Sequence, residues 1–555
     1  MSSPSDKTAG VPASEPTGES NGDSNGETTT QATGQTTGAP AVTVVESRGR
    51  RRQLPWILGV AGFAVLVLLA YAPLFKLDRL HVQDMYVDQA GYITTARLFA
   101  DTGRFENGII LPSQILADSY HVHMPGHSTV LALSYLVFGF SVLSTLLPSL
   151  IGYVLTTVCA FLIGDRLYGR RAGALSAALV ALFPANIVYA YTAMAEMTFT
   201  ASVALATTVF VYLRPERRTW APCLLLTVPF LFRESAAFVI LPMALMILRE
   251  RGLLRASLAS GATVASLWLV NRWQIASGKV AASLAWVTEG GFNYANAFAK
   301  PPEPLSGSEW LAKLGENVDR NLHLLDLAFD KRPGELMPWC LVMLFVLAGL
   351  ALIAGMTRIR REGFALGAAL LLVLLFGLSV ALYDVKLHKM MRSAIFAYPL
   401  GAVAVAGLFV GHDQARRAAV VRVVGILIGL AALASSVSVT RLGAATLTKN
   451  DEQNAKTTAD LVRINDLKKV IVAPNAAALY AVENYPVRWS QQPANERTLE
   501  AILERYDVGV ILTGRTLSLP FLQKHGLTVV SSKSGTQFYM PAADAARLQA
   551  RLRGE

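Results

Sequence analysis

Long apolar runs, most of them closed by a short basic cluster, recur along this sequence from Leu54 to about Val439. A bilayer needs about 20 apolar residues for each helix that crosses it, whereas a soluble core has no place for so many runs of this length. In lipid every backbone N–H and C=O must be satisfied within the chain, so such runs are committed to helices. Composition agrees. Of 555 residues, 53% are hydrophobic and 16% charged, against roughly 25% charged in an ordinary soluble domain, and the mean hydropathy is +0.40. The chain therefore reads as an all-α polytopic membrane protein, not a disordered or purely soluble one. Cys159, Cys223 and Cys340 lie far apart within apolar segments. That excludes a disulfide framework and fits small buried hydrophobes. The net charge of +11 does not point to nucleic acid. Much of the excess sits in short clusters between apolar runs, where the positive-inside rule puts cytoplasmic residues.

The two ends differ from the middle. Residues 1–53 contain no Leu, Ile, Phe, Trp or Tyr and are rich in Ser, Thr, Gly and Pro. Such a segment cannot bury enough apolar surface to offset its ordering entropy, and it is read as a disordered tail. It has no apolar h-region of a signal peptide. It ends in Arg48, Arg50, Arg51 and Arg52, which places the N-terminus in the cytoplasm, within reach of anionic membrane lipids. Residues 450–555 read as a small α/β domain. Lys469–Ala473 and Val508–Leu512 look like buried strands, Thr498–Arg505 has helical spacing, and further strands are expected at Val529-Val530 and Phe538-Tyr539. The segment has no GxGxxG and no P-loop, so no nucleotide is assigned to it.

One topology accounts for nearly every basic cluster between these ends. Residues 54–440 form the membrane domain, with about eleven spans, the N-terminus inside and the C-terminal domain extracytoplasmic. Leu54–Phe75 goes out to an outer loop at about 76–141, in which Ser128–Phe140 is apolar but too short to span. Val142–Gly164, Ala172–Tyr191 and Met197–Leu213 follow. Trp220–Leu248 contains Arg233-Glu234. One helix there would put charge near the bilayer centre, at a cost of about 2.5–3.5 kcal/mol for the Arg. Two short helices meeting at Arg233 avoid this and keep Arg249, Arg251 and Arg255 inside. Ala256–Trp273 leads to a second outer loop at about 274–335. Leu336–Met356, Phe364–Tyr383, Ala394–Val410 and Val420–Val439 complete the domain. Lys386, Lys389 and Arg392 fall outside, against the rule.

Asp84 and Asp88, four residues apart in the first outer loop, would share a helical face with Tyr92. They are either solvated loop acids or a general base at the membrane surface. The sequence Asp88-Gln-Ala-Gly-Tyr92-Ile-Thr-Thr-Ala-Arg97, with Gly103 after it, resembles the first-loop motif of the GT-C superfamily. These are polytopic glycosyltransferases that use polyprenyl-phosphate sugar donors, among them the protein O-mannosyltransferases, aminoarabinose transferases and lipopolysaccharide-core transferases. Further pieces follow in order: Pro125-Gly126-His127 with Leu136-Val-Phe-Gly139, Asp165-Arg-Leu-Tyr-Gly169-Arg-Arg with Leu182-Phe-Pro184, Glu196 in the next outer loop, and Arg392 before Pro399. The resemblance covers roughly Leu54 to Leu408. Gln89 stands where the family often has Glu, and Met124 where it has a second Pro.

The resemblance implies an inverting transfer to an acceptor hydroxyl. Asp88 matches the motif and is the implied base, with Asp84 and Glu196 as further acids. Arg392, Lys386, His388 and Arg233 are the candidates for neutralising the leaving phosphate. Tyr92 and Arg97 are the candidates for positioning substrate. Alternatives remain open from the residues themselves. Arg233 could simply pair with Glu234, Lys386 and Lys389 could snorkel to the interface, and Glu196 could be a metal ligand or a structural charge. His121, His123 and His127 are either polar loop residues or, with a carboxylate, ligands to a divalent ion, the one candidate cofactor. Trp286, Phe292, Tyr294, Phe298 and Trp310 suit an interfacial belt or a sugar-stacking cover. The expected partners are a polyprenyl-phosphate-linked sugar, a cell-envelope lipid, glycan or protein acceptor, and membrane lipids. The expected compartment is the bacterial inner membrane. The rival reading is a transporter or flippase, which would need ionisable groups near the midplane and shows no obvious inverted halves.

Overall fold

The computed structural model describes residues 50–75, 87–103, 109–110, 124–276, 363–382, 395–410, 470–473, 489–491, 496–505, 507–512, 516–531 and 537–546, with a few helical residues between 308 and 350. Asp84, His121, His123, Lys386, His388, Lys389 and Arg392 lie outside the described residues. So do most of the N-terminal tail, nearly all of the second outer loop with its aromatics (Trp310 among them), most of Leu336–Met356, and Val420–Val439. The chain divides into two compact units, Met1–Arg52 and Gln53–Glu555. The second carries the helical bundle and the sheet.

Helices dominate. They are α1 (Arg50–Tyr71), α2 (Val87–Thr102), α3 (Pro125–Phe138), α4 (Val142–Tyr168), α5 (Arg170–Ala181), α6 (Pro184–Ala190), α7 (Ala195–Tyr212), α8 (Pro215–Arg218), α9 (Ala221–Leu225), α10 (Thr227–Phe232), α11 (Ile240–Arg251) and α12 (Leu253–Ala276). After a gap come α13 (Phe364–Leu382) and α14 (Tyr398–Val410). Among the described residues, four helices are long and apolar enough to cross a bilayer: Gln53–Leu74, Val142–Tyr168, Ala195–Tyr212 and Leu253–Gln274. The expected span Ala172–Tyr191 is a bent pair, α5 and α6, which meet at 60° and together make a fifth apolar segment long enough to cross. Pro184 is the cause. It cannot donate into a continuing helix, and it pushes Phe183 to extended backbone, seen at φ −71°, ψ 118°. Pro184 then serves as the first residue of α6.

The run Trp220–Leu248 is also divided. Arg233 is extended at φ −158°, ψ 140°, between α10 and a 3₁₀ helix at Glu234–Val239 that leads into α11. The basic helix ends meet on one side of the bundle. Arg218 pairs with Glu250, Arg251 with Glu216 at 2.7 Å, and Gln53 reaches Asp165 at 3.3 Å. Gly169 makes the turn from α4 to α5 at φ +92°, a conformation glycine adopts without the usual Cβ penalty. Where α4 and α5 cross, Gly164 faces Gly173 so closely that an added Cβ would lie 2.8 Å from its Cα. Small residues permit such approach where lipid supplies no hydrophobic drive between helices. Stacked aromatics fill the centre, Phe75 on Tyr191 at 4.3 Å and Phe183 on Tyr398 at 3.8 Å.

A six-stranded sheet gathers the C-terminal segments. Its order is β1 (Ile109–Ile110), β3 (Trp489–Gln491), β2 (Val470–Ala473), β4 (Val508–Leu512), β6 (Gln537–Pro541), β5 (Leu527–Ser531). The β1, β3, β2 and β4 strands run parallel, and β6 is antiparallel to β4 and β5. Helix α15 (Glu496–Arg505) and the short helix α16 (Leu519–Lys524) accompany it. Val472, Leu499, Ile502, Ile511, Phe521 and Tyr539 form its core. The Glu496 carboxylate accepts from the Ser518 N–H at 2.6 Å and its hydroxyl at 2.9 Å, fixing the entry to α16. One edge strand, β1, lies between α2 and α3 in the chain, so the sheet is assembled from two distant parts of it.

Candidate functional site

At the end of the bundle away from the basic cluster, several helix N-termini converge. Helix α2 carries Asp88 in its first turn, beginning at Val87. It runs parallel to α3, because the Tyr92 ring meets His127 edge-on at 4.9 Å near both N-termini, while the Arg97 guanidinium lies 4.0 Å from the Phe140 ring beyond the α3 C-terminus. The seam between them is apolar. Tyr92 and Ala96 pack with Leu131, Ala132 and Tyr135 of α3 and with Ala195 at the start of α7.

His127 is fully buried at the start of α3. Its Nε2 donates to the Ala193 carbonyl at 3.3 Å, since a carbonyl only accepts, and its Nδ1 lies 2.9 Å from the Thr198 hydroxyl. Both ring nitrogens are thus engaged inside the protein. Of the two roles the sequence left open for it, polar residue or ligand, the contacts favour the first: His127 joins α3 to α7. Among the described residues no group of three His, Cys, Asp or Glu side chains converges.

Glu196 sits in the first turn of α7 at 0% exposure. Its Oε1 is 3.4 Å from Nη1 of Arg233, whose side chain is 24% exposed. The helix N-terminus favours the carboxylate, and the guanidinium offsets much of the cost of removing it from water. Arg233 therefore reaches across to another helix, 37 positions back along the chain, as well as standing beside Glu234. Gly126 brings α3 to the same place. A Cβ there would lie 2.8 Å from the Leu231 carbonyl oxygen and 2.9 Å from the Phe232 ring, so only glycine lets Pro125-Gly126-His127 approach the Arg233 corner. Gly152 plays the same part where α4 meets α7, with Met197 O 2.9 Å from its would-be Cβ. The Ser149 hydroxyl donates to Thr192 O at 2.8 Å, tying down the loop before α7.

The structure thus brings together Glu196, Arg233, His127 and Tyr92, and sets the first turn of α2, with Asp88, alongside. It separates Arg97 from them. At 1.5 Å rise per residue, Arg97 lies about 13 Å along the helix from Asp88. Burial pushes its guanidinium down from the ordinary value while Asp101 pulls it back. Its guanidinium packs on the Phe140 ring, further along α2. Thr198 and the Ala193 carbonyl, which hold His127, were not foreseen. The signal for Thr198 was its place in the first turn of α7 beside Glu196.

Residues 122–274, which span this corner, match the model of the family described as dolichyl-phosphate-mannose-protein mannosyltransferase. The crystal structure of ArnT from Cupriavidus metallidurans bound to undecaprenyl phosphate superposes with a TM-score of 0.53 at 13% identity, covering 89% of this chain and 99% of that one. The fold is that of the GT-C glycosyltransferases. A second GT-C structure, the Archaeoglobus fulgidus oligosaccharyltransferase tethered with an acceptor peptide, aligns at a TM-score of 0.49 and 12% identity, over 88% of this chain and 74% of that one. No curated protein sequence matches the chain.

Proposed function

We propose that this protein is a membrane glycosyltransferase that moves a sugar from a polyprenyl-phosphate donor to an acceptor hydroxyl, with inversion, on the outer face of a bacterial inner membrane. The observation that carries the reading is the pairing of buried Glu196 with the partly exposed Arg233, at the end opposite the basic cluster where α2 and α3 begin. The GT-C fold and the name of the matched family support the donor class. In this topology the basic ends face the cytoplasm, and the pair faces outward.

The step is a single displacement. The acceptor oxygen attacks the anomeric carbon, the bond to the phosphate oxygen breaks, and polyprenyl phosphate leaves with the electron pair. Asp88 takes the acceptor proton, which asks for a carboxyl whose pKa lies near the working pH. Arg233, Arg392, Lys386 and His388 meet the charge that develops on the leaving phosphate. Arg suits that task through its planar fork and Lys as a point charge. The helices supply the apolar surface for the lipid tail. Asp84 is a second acid of the same loop, and the cell-envelope acceptor is met on the side of the C-terminal sheet.

Arg392 tests the phosphate half of this proposal. Removing one charge-stabilising donor from such a site costs about 10²–10³ in kcat. Purified Arg392→Ala, assayed with radiolabelled polyprenyl-phosphate-mannose and a membrane extract as acceptor, is expected to lose transfer on that scale while its yield and melting temperature hold. Transfer at the wild-type rate removes Arg392 from the site.

A further inference from the structure

Nothing in the fold itself explains the burial of Gln89. Its side chain is 2% exposed, and neither its amide nitrogen nor its amide oxygen has a hydrogen-bond partner among the described residues. A primary amide carries two N–H donors and an acceptor oxygen. Buried polar groups in folded proteins are almost always bonded, and leaving one unmade costs more than a made bond returns. Leu or Met would fill the same volume without that penalty. The amide is therefore held for a partner that arrives with a ligand.

Its position says which ligand. Gln89 follows Asp88 in the first turn of α2. Tyr92, Ile93 and Ala96 succeed it at i+3, i+4 and i+7, so the four share one face, and all four are buried. Tyr92 and Ala96 line the seam with α3 and Ala195. Gln89 stands one turn before Tyr92, whose ring meets His127 at the start of α3 and packs with Ala195 at the start of α7. A neutral amide that both donates and accepts complements a hydroxyl, which does the same. A phosphate offers only acceptors, and cations serve it better.

We infer that Gln89 is a specificity-determining residue that hydrogen-bonds a substrate hydroxyl, from either the donor sugar or the acceptor. The inference rests on the glycosyl-transfer reading above. A site built to bond a hydroxyl discriminates strongly against its absence, so Gln89 shapes which sugar or acceptor is used.

The test uses the full-length protein with Gln89→Leu and Gln89→Met, two replacements of nearly equal volume. Both variants are expected to melt at or above the wild-type temperature in detergent, because an unbonded buried amide has been removed. Both should lose about 10–100-fold in kcat/KM for transfer from polyprenyl-phosphate-mannose, the scale of one lost hydrogen bond. A rise in KM confined to the donor identifies the sugar hydroxyl as the partner, and one confined to the acceptor identifies the acceptor hydroxyl. Stable variants that transfer at the wild-type rate overturn the inference and leave the proposed function standing. Variants that lose melting temperature together with activity also overturn it, since the amide is then structural. A wild-type protein inactive with every polyprenyl-phosphate sugar overturns the function beneath it.

Discussion

Asp88→Asn should abolish sugar transfer while leaving the protein expressed, folded and in the membrane. The change keeps the shape of the side chain and removes its ability to take a proton. Positioned general bases contribute about 10²–10⁴-fold, so the residual rate is expected two to four orders of magnitude below wild type. Asp88 lies in the first turn of α2, which is packed along its length through Tyr92, Ile93 and Ala96. Asn matches Asp in size, so the melting temperature should move little. The measurement is kcat for transfer beside a thermal melt of the same preparation. Retained transfer in a folded Asp88→Asn variant removes Asp88 as the base and leaves Asp84 and Glu196 as the acids to test.

Arg233→Ala should cost stability as well as activity. Glu196 is fully buried and lies 3.4 Å from the Arg233 guanidinium. Removing one partner of a buried ion pair costs about 3–5 kcal/mol, much of it the penalty of the abandoned charge. Arg233 is 24% exposed, which puts the expected loss at the lower end, about 3 kcal/mol. Glu196→Gln in the same chain should return much of that stability, because no charge is then left behind. It should not return transfer if Arg233 also meets the donor phosphate. A double-mutant cycle read by thermal unfolding and by kcat separates the two roles. Recovery of both stability and activity in the double variant makes the pair purely structural.

Some of this was legible in the sequence for clear physical reasons. Charge inside an apolar run is so costly in lipid that Arg233-Glu234 alone marked the break between α10 and α11. The apolar runs of α1, α4, α7 and α12 were legible, although α4 continues past the expected Gly164 to Tyr168 and α12 past Trp273 to Ala276. Pro184 was visible too, but the apolar residues on both sides of it read as the single span Ala172–Tyr191. The structure shows the 60° bend there between α5 and α6. The pairing of Glu196 with Arg233 joins residues 37 positions apart, and no periodicity reports it. The same holds for β1, two residues between α2 and α3 that pair with Trp489 and Ser490 at the edge of the C-terminal sheet. His127 showed its type but not its fate. Only the fold reveals that Thr198 and Ala193 engage both nitrogens. Gln89 reads on its own as an ordinary polar residue near a helix start, and its burial is what gives it meaning.

The most direct test of glycosyl transfer uses wild-type protein in sealed vesicles loaded with labelled polyprenyl-phosphate-mannose, with a membrane acceptor added outside. Label is expected to move from lipid to acceptor, with free polyprenyl phosphate appearing in equal amount, in a reaction that stops when acceptor is withheld. Intact labelled lipid crossing from one leaflet to the other, with the sugar–phosphate bond unbroken, contradicts glycosyl transfer and makes the protein a flippase.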